Sequence, residues 1–505
     1  MRLQVLLDGI EHIDIGLLGV VGDREVDVRS VTHDSREVRA GALFACIPGS
    51  RFDGHDHAAE AVDRGAVALL VERDLPGPVS DAPVSHAPVS QVRVRDVRTA
   101  LGPVAAAAAD WPSQGMTCLG VTGTNGKTTT TYLLEAIGKA DHRTVGVIGT
   151  TGARVAGVPV PLAHTTPEAP ELQALLARMR DDGVGMVAME VSSHALDQHR
   201  VDGTRFAAVA FTNLSHDHLD FHGSFDRYFE AKARLFTPWF TDAAAIGIDD
   251  ARGPELAARA RTQGLTVVSY AIDRDADLRA TEARATATGM DFVLTDGRTG
   301  ESVDISLSLI GRLNVLNALA AAATATLVGL DLETIARGLA AAGVMPGRLE
   351  RIDAGQPFAV VVDYAHTPDA LEHALAATRV HAGDHRLIAV VGCGGDRDRA
   401  KRPKMGALVA TRADAAIITS DNPRSESAAT IADEMVAGIP SGSGTVVVEL
   451  DRRLAIRRAI GGATPGDVVL IAGKGHEVGQ TAGTRTVPFD DRVVAREEIE
   501  ASSWT

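Results

Sequence analysis

Cysteine is scarce in this chain. Its 505 residues include three, Cys46, Cys118 and Cys393, widely separated and with no CxxC pair. So odd and scattered a set speaks against a disulfide framework and a structural zinc site, and it fits a reducing cytoplasm. Positive charge is in deficit as well. With 66 acidic and 50 basic side chains the formal net charge is −16, which argues against a broad cationic surface for nucleic acid or an anionic membrane. No signal-like apolar run opens the chain, because MRLQVLLDGIEHIDIGLL is broken by Asp8, Glu11 and Asp14. The most membrane-like stretch, Leu313 to Leu330, is Ala-rich and carries Asn314, Asn317, Thr324 and Thr326, and reads as a buried helix. The expectation is a cytoplasmic monomer that acts on small molecules, with no nucleic-acid or membrane partner.

What remains is a globular composition, 45% hydrophobic and 23% charged. At about 100–200 residues per domain the length allows two to four domains. A Pro/Ser tract, PGPVSDAPVSHAPVS at Pro76–Ser90, reads as a surface loop inserted in the first of them. From residue 115 onward short apolar runs alternate with helical stretches. The runs are Thr117–Val121, Thr144–Ile148, Val184–Met189 and Ala207–Phe211, then Ala359–Val362, Leu387–Val391, Ala415–Thr419 and Asp467–Ile471. Such alternation predicts an α/β protein with parallel, doubly wound sheets, whose ligands gather beyond the carboxyl ends of the strands. A second break near Gly343–Gly347 gives three domains, 1–106, 107–345 and 346–505.

After Thr117–Val121 comes Thr122-Gly123-Thr124-Asn125-Gly126-Lys127-Thr128-Thr129. Glycines free backbone amides to face a phosphate, Lys127 reaches the β/γ-phosphates, and Thr128 opens a helix with a hydroxyl suited to Mg²⁺. Val121 stands where the strict P-loop has its first glycine. An ordinary Gly-rich turn is the bland alternative. Glu190 closes the apolar run Val184–Met189, and NLSHDHLDFHG crowds His216, Asp217, His218, Asp220 and His222 together. Without cysteine and with flanking acids, that set suits a hard cation better than zinc. Taken without further context, a loop of capping and surface histidines is the preferred reading.

TGTNGKTT resembles the ATP loop of the Mur ligases and folylpolyglutamate synthetases, which form amides through acyl phosphates. The resemblance to Mur ligases runs from about residue 28 to 480 and implies ATP and Mg²⁺ as cofactors. It implies a central P-loop-type domain, a Rossmann-like C-terminal domain that binds the amino acid, and a smaller N-terminal α/β domain that binds uridine. It places ATP on Gly123 to Thr129 and Mg²⁺ on Thr128, Glu190, His218 and Lys232, the last in YFEAKARLF and modified to a carbamate. Lys127, Glu190, His218 and Lys232 are the catalytic set it implies. In THDSR and PGSRFDG it assigns His33, Ser35, Ser50, Arg51 and Phe52 to the UDP-sugar, and centrally Thr165, Thr166, Ser192, Gln198 and Arg200 to the sugar and peptide.

In the third domain polar loops follow four apolar runs: DYAHTP, GCGGDRD, DNPRSE and GKGHE. An amino acid with two α-amino acid centres needs cations for its carboxylates and acids for its ammonium. Arg397 and Arg424 supply the first, and Asp421 with Glu477 the second, in a pocket that also takes Asn422, Pro423 and Gly473. DNPR resembles the members that add meso-diaminopimelate to UDP-N-acetylmuramoyl-L-alanyl-D-glutamate. The resemblance therefore implies a peptidoglycan-precursor ligase. A lysine-adding relative, a folylpolyglutamate synthetase and a P-loop regulator are the competing readings.

Overall fold

Strands buried on both faces must be apolar throughout, and each of the runs read as a strand from residue 115 onward forms one. The computed structural model describes residues 1–49, 52–75, 89–286 and 288–502. Most of the Pro/Ser tract, with Ser50 and Arg51, lies outside the described residues. The chain is α/β, with three main sheets that each carry their own helices and a two-stranded hairpin beside the third.

The central sheet has 11 strands. Its parallel middle sets Thr117–Thr122 between Met186–Glu190 and Ala208–Phe211, in a register that brings Glu190 beside Val121 and Phe211 beside Thr122. The expectation of a parallel sheet holds for this middle. Antiparallel strands extend it at both ends, Gly152–Val155 and Val158–Val160 on one side and Met290–Asp296 and Glu301–Leu307 on the other. The helices Lys127–Ala140 and Arg312–Leu327 pack on one face around Leu133, Ile137, Leu319 and Ala322. The second of these is the Ala-rich stretch, and among the described residues no helix is long and apolar enough to cross a membrane.

The first sheet has five strands, parallel except for the edge strand Leu17–Val21. The third has six, and its parallel strands Ala359–Asp363, Val468–Ala472, Leu387–Cys393 and Ala415–Ser420 end side by side. Beneath two of those ends lies a buried ion pair. Arg452 and Asp491 are both fully buried and 2.6 Å apart, and the guanidinium also donates to the carbonyls of Ser420 and Ala472. Removing one partner strands the other charge in a dry interior. Asp491→Ala is therefore expected to lower stability by about 3–5 kcal/mol, read from the midpoint of urea unfolding.

Candidate active site

The phosphate-loop helix starts at Lys127, with Gly126 before it at φ +88°. A Cβ at Gly126 would lie 2.1 Å from Oδ1 of Asn317, so only glycine lets the loop pass beneath the helix Arg312–Leu327. Lys127 folds back over the loop, and its ammonium donates to the carbonyls of Gly123 and Thr124 at 2.9 Å each. Lys232, on the helix Phe225–Ala233, donates to the same Gly123 carbonyl at 2.7 Å. It is 1% exposed, makes no ion pair with a carboxylate among the described residues, and stands 4.5 Å from the Tyr228 ring. Burial, reinforced by the neighbouring Lys127 charge, pushes its pKa well below that of an ordinary lysine. Burial lowers the pKa of Lys127 as well, opposed by Glu190 and Asp217.

Glu190 is buried at the end of its strand, where its carboxylate accepts from the backbone and the hydroxyl of Thr150 at 2.8 and 3.0 Å. Thr166 donates to the Glu190 carbonyl and accepts from the backbone of Ser192. Thr165 meets the Thr150 hydroxyl at 3.2 Å. Arg200 forms an ion pair with Glu168 at 2.9 Å and donates to Gln198 at 2.6 Å. Glu168 is held in turn by Arg98 of the first domain. His218 occupies the left-handed region at φ +53°, 3.3 Å from Asp217 and with its ring edge-on to His194. Burial drops its pKa to about 3, which leaves a neutral imidazole, the form that ligates metals.

These groups share a cavity of about 900 Å³ with the third domain. Its walls include Thr124 to Thr129, Glu190, His218 and Lys232 on one side, and Asp363, Tyr364, His366 and Arg397 on the other. Hydrogen bonds cross the seam beside it: Asn125 to Asp369 at 2.7 Å, Arg348 to the Thr128 hydroxyl at 3.0 Å, and His216 with Asp398 at 3.3 Å. Arg348 lies over the Tyr364 ring at 4.7 Å. Thr165, Thr166, Ser192 and Arg200 line the same chamber, whereas Gln198 does not.

Whether this donor set suits a divalent cation turns on charge. Among the described residues no three His, Cys, Asp or Glu side chains gather as a metal cluster. Glu190 and His218 face a chamber that two lysines also enter. A hard cation fits once Lys232 is converted to an anion, and a neutral buried amine is the form that reacts with CO₂.

The remaining expected residues lie elsewhere. His33 stands 3.5 Å from Glu171 of the central domain, Ser35 donates to Glu60, and Phe52 is 75% exposed. None of them reaches the chamber. The DNPR loop forms a separate patch. Arg424 donates to the Gly395 carbonyl at 2.7 Å and among the described residues makes no ion pair, so much of its guanidinium is left for a ligand. Asp421 and Asn422 are buried, and Gly473 packs against the Asp421 carboxylate. Glu477 is more committed than its sequence suggested. The fully buried Lys474 pairs with it at 2.9 Å and Asn422 donates to it at 2.7 Å, which restricts it as a free acceptor for an ammonium. Three groups were not singled out by sequence: Thr150, Asp369 and Arg348. Thr150 follows an apolar strand just as Glu190 ends one, and that signal was there to be read.

Family models match along most of the chain: "Mur ligase family, catalytic domain" over residues 27–109, "Mur ligase middle domain" over 121–325, and "Mur ligase, glutamate ligase domain" over 347–475. A protein of Geobacillus thermodenitrificans is 43% identical over 99% of both chains. One of Corynebacterium glutamicum is 45% identical over 99% of this chain and 97% of its own. Both are named UDP-N-acetylmuramoyl-L-alanyl-D-glutamate–2,6-diaminopimelate ligase. A solved structure of that same name superposes with a TM-score of 0.69 at 32% identity, covering 98% of each chain.

Proposed function

The chain belongs to the Mur ligase family, and we propose that it joins meso-2,6-diaminopimelate to UDP-N-acetylmuramoyl-L-alanyl-D-glutamate in an ATP-driven amide ligation. The reading rests on one chamber in which the phosphate loop, Glu190, His218 and Lys232 face the strand-end loops of the third domain. A regulator with a bare nucleotide loop has no use for that second wall.

The D-glutamyl side-chain carboxylate attacks the γ-phosphate of ATP, ADP leaves, and the acyl phosphate forms. The amine of diaminopimelate then adds to the acyl carbon, loses a proton, and expels phosphate. Two anions must meet in the first step, so cation charge and positioning do most of the catalysis. Lys127 and the amino end of its helix receive the phosphates, and Arg348 beside the Thr128 hydroxyl adds a cation from the third domain. Arg200, steadied by Glu168, receives a carboxylate of the peptide. Lys232 adds to CO₂ through its neutral amine and releases one proton. The resulting carbamate, with Glu190, His218 and the Thr128 hydroxyl, would hold Mg²⁺, which supplies charge neutralisation to the phosphates. Arg424 takes the distal carboxylate of diaminopimelate, for which a guanidinium fork is the matching partner.

Phosphate release from ATP with the nucleotide-sugar dipeptide present is expected to need an amino acid, and to favour meso-diaminopimelate over L-lysine by about tenfold or more in kcat/KM. Arg424→Ala is expected to erase the preference. Preference for lysine would overturn the role of Arg424. Turnover without either substrate would point to the regulator.

A further inference from the structure

Residues 479–488 form a two-stranded hairpin, Gly479–Ala482 against Arg485–Pro488, apart from all three main sheets. It lies beyond the matched C-terminal family segment, which ends at residue 475. Every residue along it is half-buried or exposed, and none joins a hydrophobic cluster. An isolated two-stranded hairpin is marginal in water, so this one is held by something other than core packing.

What holds it is the DNPR loop, contacted at three of its four residues. Gln480 donates to the Asp421 carbonyl at 2.8 Å, and the Thr481 amide donates to Oδ1 of Asn422 at 3.0 Å. Arg424 is joined to Ala482 as an isolated parallel β-bridge. Its amide donates to the Thr481 carbonyl at 3.0 Å, and its own carbonyl accepts from Gly483 at 2.6 Å. Arg424 has φ +50°, a conformation unfavourable for a side chain of this kind, and the two backbone bonds bracket that residue. At its base the hairpin is tied down by Lys474, which donates to the Gly479 carbonyl at 2.7 Å.

We propose that this hairpin is the specificity clamp of the amino-acid site, with Gln480 and Thr481 as positioning residues. They hold Asp421, Asn422 and the strained backbone of Arg424 so that its guanidinium meets the distal carboxylate of the incoming amino acid. The clamp rests on the reading of Arg424 given above. It acts through Arg424 and touches neither the phosphate loop nor the chamber around Glu190.

The test compares Gln480→Ala, Thr481→Pro and Arg424→Ala in the full-length enzyme. Each hairpin variant is expected to raise KM for meso-diaminopimelate by about tenfold and to narrow its advantage over L-lysine by a similar factor. KM for ATP and for the nucleotide-sugar dipeptide, and the melting temperature, should stay near those of the parent. All three KM values rising together, or unchanged discrimination in both hairpin variants while Arg424→Ala loses it, would overturn the clamp and leave the Arg424 reading standing. Retention of the preference by Arg424→Ala itself would remove that reading and the clamp with it.

Discussion

Replacing Lys127 with methionine is expected to lower kcat by about 10³-fold or more, with little change in stability. Cations aimed at a transferring phosphoryl group supply effects of that order, because the charge they meet develops in a site screened from water. Among the described residues Lys127 makes no ion pair, and its two hydrogen bonds go to carbonyls of its own loop, Gly123 and Thr124. Its removal therefore breaks no direct ion pair, and the stability loss should stay near 1 kcal/mol. Lys127→Arg is expected to fail as well, since a planar fork does not replace a compact ammonium in a cradle of backbone groups. Steady-state phosphate release and a thermal melt of the same preparations decide the matter. Activity within tenfold of the parent would move the nucleotide away from this loop.

Lys232 carries the second large effect. Lys232→Ala is expected to reduce turnover by roughly 100-fold or more, the scale on which loss of metal-positioning groups is felt. The parent enzyme should lose activity in CO₂-depleted buffer and regain it with bicarbonate, whereas the alanine variant should ignore bicarbonate. The physical ground is the burial of an amine beside another lysine, which outweighs the opposing charge of Asp217 and favours its neutral, nucleophilic form. Bicarbonate-independent activity with an unmodified lysine in the intact protein would remove the carbamate from the mechanism.

Much of this was legible in sequence because strands buried on both faces write themselves as apolar runs, and the first polar residue after each marks the ligand edge. Glu190, the TGTNGKTT loop and the four loops of the third domain were found that way. Lys232 was not; in sequence it is one lysine on an amphipathic helix, and only the family resemblance drew attention to it. The antiparallel strands Met290–Asp296 and Glu301–Leu307 alternate buried and open positions, a weaker signal than a continuous run. Arg348 and Asp369 depend on how two domains meet, which no local pattern encodes. The hairpin after GKGHE was hidden for another reason: it is bound largely through backbone amides, and those are the same whatever the residue.

The seam between the central and third domains is joined at Asn125–Asp369, Arg348–Thr128 and His216–Asp398 through polar atoms, and the Gly123 carbonyl accepts from the side-chain nitrogens of both Lys127 and Lys232. An arriving triphosphate thus competes with the protein's own side chains for the cradle. A triphosphate can recruit Lys127, the helix terminus and Arg348 together, whereas a single inorganic phosphate satisfies only part of that set. The self-occupied loop is then a filter by valency.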